Sequence, residues 1–108
     1  MTIDTWIGQA MALGASDIHL RSGAPPMMRL DGHLHALDEH HIATPELMTW
    51  LQSWPPDNSP AALQGPLDFD GALILPKAGR FRCNVMWHHL GVGVVLRPIK
   101  DAVPTLAH

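Results

Sequence analysis

The chain has 108 residues, 46% of them hydrophobic and 16% charged, and a net charge of −3 with the histidines neutral. That size and mix describe one globular domain with a single core, not a disordered segment. Seven lysines and arginines in total argue against a nucleic-acid partner, whose binding rests on many phosphate contacts. No apolar run approaches the ~20 residues of a membrane span, and the N-terminus lacks a basic-then-apolar leader. The single cysteine, Cys83, fits a reducing compartment. Together these features give the expectation of a soluble, cytoplasmic protein.

Ile3, Trp6, Ile7, Ala10, Met11 and Leu13 recur at helical spacing. Thr2 suits the N-cap, Asp4 the positive end of the helix dipole and Gly14 the C-terminal stop, so a helix is predicted over 3–14. Asp17 to Arg21 alternates, with Ile18 and Leu20 inward and Asp17, His19 and Arg21 outward. Pro25-Pro26 then interrupts regular structure. Met27 to Leu30 and Leu34 to Leu37 flank Asp31-Gly32, a hairpin signal. A two-residue turn sets Met28 and Leu30 beside His33 and His35. A three-residue turn sets them beside Leu34 and Ala36, and is preferred here because it separates apolar from polar side chains.

Asp38 to Ala43 reads as a polar link. Thr44-Pro45-Glu46 announces a second helix, with Thr44 as N-cap and Pro45 at its first position. Its apolar stripe is Leu47, Met48, Leu51 and Trp54, and Pro55-Pro56 ends it. Residues 57–66 are loop-like. Leu67, Phe69, Leu73 and Leu75 alternate with Asp68, Asp70 and Ile74, which predicts a strand.

From Gly79 to Pro98 two alternating runs face each other. Phe81, Cys83, Val85 and Trp87 take one parity, and Val92, Val94 and Leu96 match it if the link holds an even number of residues, such as Leu90-Gly91. The opposite face then gathers Arg82, Asn84 and Arg97. Two guanidiniums and an amide on a rigid ribbon can hold an oxyanion such as phosphate. The competing account is an ordinary solvated strand face with surface arginines. An odd loop before Gly79 adds Asp68 and Asp70 to this face as ion-pair partners.

Other chemistries find little support. Of eight histidines, His33 and His35 share a strand face, whereas His88 and His89 point to opposite faces. No Cys-x-x-Cys or His-Glu-x-x-His spacing supplies a zinc site, so no metal is expected. There is no Gly-x-Ser-x-Gly elbow and no phosphate-cradling Gly-x-x-x-x-Gly-Lys-Ser/Thr loop. Taken from the residues alone, the chain is an α+β domain: an antiparallel sheet, helices packed on one face, and a cationic strand patch.

Several motifs in order carry a resemblance. They are Ala15-Ser16-Asp17-Ile18-His19-Leu20, Gly23-Ala24-Pro25-Pro26-Met27, Arg29-Leu30-Asp31-Gly32, Leu67-Asp68-Phe69, Gly79-Arg80-Phe81-Arg82-Cys83-Asn84-Val85 and Arg97-Pro98-Ile99. With Pro104-Thr105-Leu106 they resemble the N-terminal domain of twitching-motility and type II secretion traffic ATPases of the PilT-like kind. The resemblance implies a PAS-like domain over 1–98 and the start of an interdomain linker over 99–108. It implies a parent homo-hexamer at the inner face of the inner membrane. There each such domain packs on RecA-like ATPase domains of its own and neighbouring subunits. It also implies that Arg82, Arg97 and Arg80, supported by Asn84 and Asp68, reach ATP and Mg held by the RecA-like domain. This chain alone would hold no cofactor and be no enzyme. His88-His89 stands where the family often has Gln-Arg. The rival expectations are a stand-alone PAS-like module sensing a small ligand or metal, and a pure docking domain.

Overall fold

The structure, a computed structural model, describes residues 2–53, 69–75, 78–88 and 91–99. Its elements in chain order are α1 (Ile3–Leu13), β1 (Asp17–Arg21), β2 (Met27–Leu30), β3 (His33–Ala36), α2 (Thr44–Gln52), β4 (Phe69–Leu75), β5 (Gly79–His88) and β6 (Gly91–Pro98). The six strands form one sheet in the order β3-β2-β1-β6-β5-β4, every pair antiparallel. With two helices among the described residues this is the expected α+β, PAS-like fold. The β1-β2-β3 and β4-β5-β6 runs meet at β1 and β6, so β6 lies in the middle of the sheet.

α1 forms because its apolar residues fall on one stripe. Ile3, Trp6, Ile7 and Ala10 are buried. Thr2 accepts from the Thr5 N–H, and Gly14, at φ 82°, takes the left-handed conformation that ends the helix. α2 begins one residue earlier than expected: Ala43, not Thr44, is the N-cap. Ala43 has no side-chain acceptor to cap with, and the Glu46 carboxylate reaches back instead, accepting from the Ala43 N–H at 3.3 Å. Pro45 still lies in the first turn, where no backbone donor is needed. The buried stripe of α2 is Leu47, Trp50 and Leu51. Trp50, three residues after Leu47, joins the expected stripe, and its indole N–H donates to Asp4 Oδ1 at 3.0 Å. The expectations for Trp54, residues 57–66, Leu67 and Asp68 lie outside the described residues, as do those for 100–108.

The link before α2 is not wholly polar. Ile42 is fully buried and locked by two backbone bonds, Ile42 N–H to Ala24 O at 2.9 Å and Gly23 N–H to Ile42 O at 2.7 Å. Trp6 Nε1 donates to Asp38 Oδ2 at 3.1 Å, which ties the same segment to α1.

The β2–β3 turn corrects the preferred expectation. Leu30 pairs with His33 and Met28 with His35, so the turn holds two residues, not three. Asp31 and Gly32 both have positive φ, 53° and 83°, as a primed two-residue turn requires. Separating apolar from polar residues would have gained nothing, because all four residues of β3 are exposed. Turn chemistry decided the register.

In the second hairpin the expected parity holds. Phe81 pairs with Pro98, Cys83 with Leu96, Val85 with Val94 and Trp87 with Val92. The link is even, but Gly91 belongs to the ladder and not to the link, since it pairs with His88. β4 continues the sheet with Leu73 opposite Phe81 and Leu75 opposite Gly79, an odd spacing as expected. The covered face, carrying Phe81, Cys83, Val85, Val92, Val94 and Leu96, joins Ile18, Leu20, Leu73 and the helix stripes in one core.

Candidate functional site

Antiparallel pairing places Arg82 of β5 directly opposite Arg97 of β6 on the uncovered face. Like charges facing each other across a ladder repel. Part of that repulsion is offset from the other side. Asp70 of β4 pairs with Asn84, one diagonal step from Arg82. The Arg82 fork donates from Nε to Asp70 Oδ1 and from Nη2 to Oδ2, each at 3.3 Å. This hydrogen bonding, with the charge of Asp70 second, raises the Arg82 pKa further and keeps it charged at any working pH. Arg97 has no ion pair or hydrogen bond among the described residues. Asp70, Arg82, Asn84 and Arg97, with Met86 and Val95, line an open depression of about 460 Å³. Cationic forks at its walls, half-buried Asn84 and an apolar floor suit an oxyanion with several acceptor oxygens.

The structure thus brings together three of the residues singled out from the sequence: Arg82, Asn84 and Arg97. Asp70 joins them as the carboxylate partner. Asp68 lies outside the described residues. Arg80 occupies the same face but lines a second depression, with the end of α1 and with Pro98 and Ile99. Its backbone carbonyl accepts from the Ile99 N–H at 2.8 Å, which fixes where the chain leaves the sheet.

A polar cluster that the alternation pattern did not reveal lies on the adjoining strand, β1. Asp17 faces outward by alternation, yet it is 7% exposed. Ser16 Oγ donates to its Oδ1 at 2.8 Å, His19 Nε2 bonds its Oδ2, and Arg29 Nε approaches to 3.5 Å. Burial pushes the Asp17 carboxyl up, but the bonds from Ser16 and His19 and the charges of His19 and Arg29 outweigh it. The group is held below its ordinary value. The sequence signal was the local Ser16-Asp17-Ile18-His19 string, where neighbours one and two positions away can reach one carboxylate. Asp17 and Arg97 are the next residues beyond the Ile18–Leu96 pair. One row across the open face therefore reads Arg29, Asp17, Arg97, Arg82. Asp17 is engaged by its own strand and by β2, which leaves Arg97 available.

Cys83 carries no chemistry here: burial, followed by the negative charge of Asp70, pushes its thiol up to about 12. Among the described residues no three His, Cys, Asp or Glu side chains converge as metal ligands. His40 is engaged by Glu46 at 2.7 Å and His19 by Asp17. No helix among the described residues is long and apolar enough to cross a membrane.

In sequence and in fold the chain is similar to part of known pilus and secretion ATPases. No protein-family model matches it. It is 30% identical over 93 residues to the type IV pilus retraction ATPase PilT of Pseudomonas aeruginosa. That match covers 86% of this chain and 27% of the relative. Its fold superimposes on the crystal structure of the pilus retraction motor PilT with bound ADP at a TM-score of 0.77 and 28% identity, over 96% of this chain and 31% of that one. The Legionella pneumophila ATPase DotB shares the fold at a TM-score of 0.76 and 24% identity, over 97% of this chain and 31% of its own. The chain therefore spans less than a third of the length of the relatives it matches.

Proposed function

We propose that this chain is the coupling and oligomerisation domain of a hexameric PilT-like motor ATPase that works at the cytoplasmic face of the inner membrane. Arg82 and Arg97 reach toward the phosphates of ATP and Mg bound by a RecA-like domain of the same or a neighbouring subunit. Arg80 and Asn84 sit on the same face as further contacts. The sequence given holds no phosphate-cradling loop, so this stretch contributes cations to a site whose cradle it does not contain.

The observation that carries this reading is the direct Arg82–Arg97 pair on an uncovered sheet face, one member lacking any counter-ion among the described residues. Two opposed guanidiniums are costly unless something negative comes between or above them. A nucleotide phosphate supplies that charge. Fixed cations aimed at developing phosphate charge lower the barrier to transfer, and because they ride on a separate domain, their arrival ties domain motion to hydrolysis.

The test is ATP turnover in the full-length motor. Arg82→Ala and Arg97→Ala are expected to cut hydrolysis by about 10³-fold or more, the scale of an arginine donated to a phosphoryl-transfer site. Thermal unfolding should barely change, since both side chains are exposed. Unchanged turnover in both variants would refute the coupling role. The 108-residue chain by itself should hydrolyse no ATP.

A further inference from the structure

The depression on the open face holds a carboxylate as well as two guanidiniums, and the carboxylate occupies the atoms an anion needs. Arg82 presents Nε and one terminal nitrogen, Nη2, to both oxygens of Asp70. A phosphate binds an arginine through the same kind of two-pronged contact. Asp70 and a bound phosphate therefore compete for Arg82, while Arg97, opposite it on β6, is open to the phosphate.

The Asp70 contact is built to be exchanged. Both its bonds are 3.3 Å long, whereas a tight charge-assisted pair closes to about 2.7–2.9 Å. The two side chains are 53% and 67% exposed, and ion pairs so open to water are weak. Once displaced, the carboxylate already stands in solvent and incurs no burial penalty. Asp70 also sits on β4, an edge strand on the far side of Arg82 from Arg97. An anion entering between the two arginines need not pass it.

Resting on the reading of this face as a phosphate-facing surface, we infer that Asp70 is a built-in competitor that sets the affinity and charge selectivity of the Arg82–Arg97 site. A singly charged anion that displaces Asp70 exchanges one carboxylate-like contact for another and gains little. A multiply charged phosphate replaces the contact to Arg82 and also neutralises Arg97. Asp70 thereby filters out monoanions and favours polyphosphates, at the expense of absolute affinity.

The test uses the 108-residue chain with pyrophosphate as the probe and acetate as the monoanion, followed by NMR of the arginine Nε–H groups at low salt. Asp70→Asn keeps the shape and removes the charge. It is expected to bind pyrophosphate about fivefold more tightly than the unaltered chain, equivalent to about 1 kcal/mol, and to narrow the preference for pyrophosphate over acetate. Asp70→Ala should behave alike, which guards against an asparagine-specific contact. Arg97→Ala should weaken pyrophosphate binding in either background. If both Asp70 variants bind pyrophosphate no more tightly than the unaltered chain while Arg97→Ala weakens it, the competitor role is wrong and the phosphate-facing surface stands. If pyrophosphate moves neither the Arg82 nor the Arg97 signal in any variant, the surface and the competitor fall together.

Discussion

On the helix-covered side of the sheet, Phe81, Cys83, Val85, Val92, Val94 and Leu96 are all 0% exposed. On the other side of the same two strands, Arg82, Met86 and Arg97 are exposed and Asn84 is half-buried. The alternation of one hairpin thus builds a core and a charged surface from interleaved residues. Stability resides on one parity and candidate chemistry on the other, so a substitution at one position need not trouble its neighbour. The two faces should respond to mutation in opposite ways, and that contrast can be tested directly.

The largest effect should come from the covered face. Phe81→Ala removes a fully buried ring and should cost about 3–5 kcal/mol, read from urea unfolding. A loss below about 1 kcal/mol would mean that the core is looser than its burial indicates. Gly91→Ala comes next. Gly91 has φ 141°, and a Cβ there would lie 2.5 Å from Ser22 Oγ and 3.0 Å from Thr44 Oγ1. Ser22 is itself clamped to β6, its hydroxyl donating to the Val92 carbonyl at 3.1 Å and accepting from the Val92 N–H at 3.0 Å, so it cannot readily give way. Backbone strain alone of about 1–3 kcal/mol is expected, and an unchanged melting temperature would show that the turn can reshape.

A smaller effect should appear in acid. Asp17 and Asp38 are both held below the ordinary carboxylate value of 3.8. For Asp38 the cause is first the His40 N–H and then the Trp6 indole. A carboxyl with a depressed folded-state value contributes stability above its unfolded value and loses it as pH falls through the folded one. Unfolding free energy should therefore decline below about pH 4, and Asp17→Asn should flatten that decline. An identical acid profile in the variant would remove Asp17 from the account. At the bottom of the scale stand Arg82→Ala and Arg97→Ala, whose stability changes should lie within about 0.5 kcal/mol while hydrolysis in the full-length motor falls.

How much of this was legible in the sequence depended on whether burial or local chemistry ruled each element. The β5–β6 register followed from alternation because one face is fully buried, so a slip would expose the core. The β2–β3 register did not, because β3 buries nothing and the Asp31-Gly32 turn alone decided it. Trp50 fits the stripe of α2, three residues after Leu47, but its indole bond to Asp4, 46 residues away, is a contact that no periodicity reports. Asp17 looked solvated on alternation alone, since its burial comes from side chains of its own and the adjoining strand. At the candidate site, Arg82, Asn84 and Arg97 were legible from parity. That Asp70 reaches Arg82 depended on the β4–β5 register.

The position of β6 has a mechanical consequence. It is the last strand among the described residues, yet it is paired on both sides, with β5 from Phe81 to His88 and with β1 from Ile18 to Arg21. A pull applied at its Pro98 end runs along the strand, so the bonds of both ladders are loaded together, in shear. A pull on β3, at the edge of the sheet, would instead peel one pairing at a time. Traction arriving through the C-terminal end of this domain would be spread across the middle of the sheet and delivered to the row that carries Arg82 and Arg97.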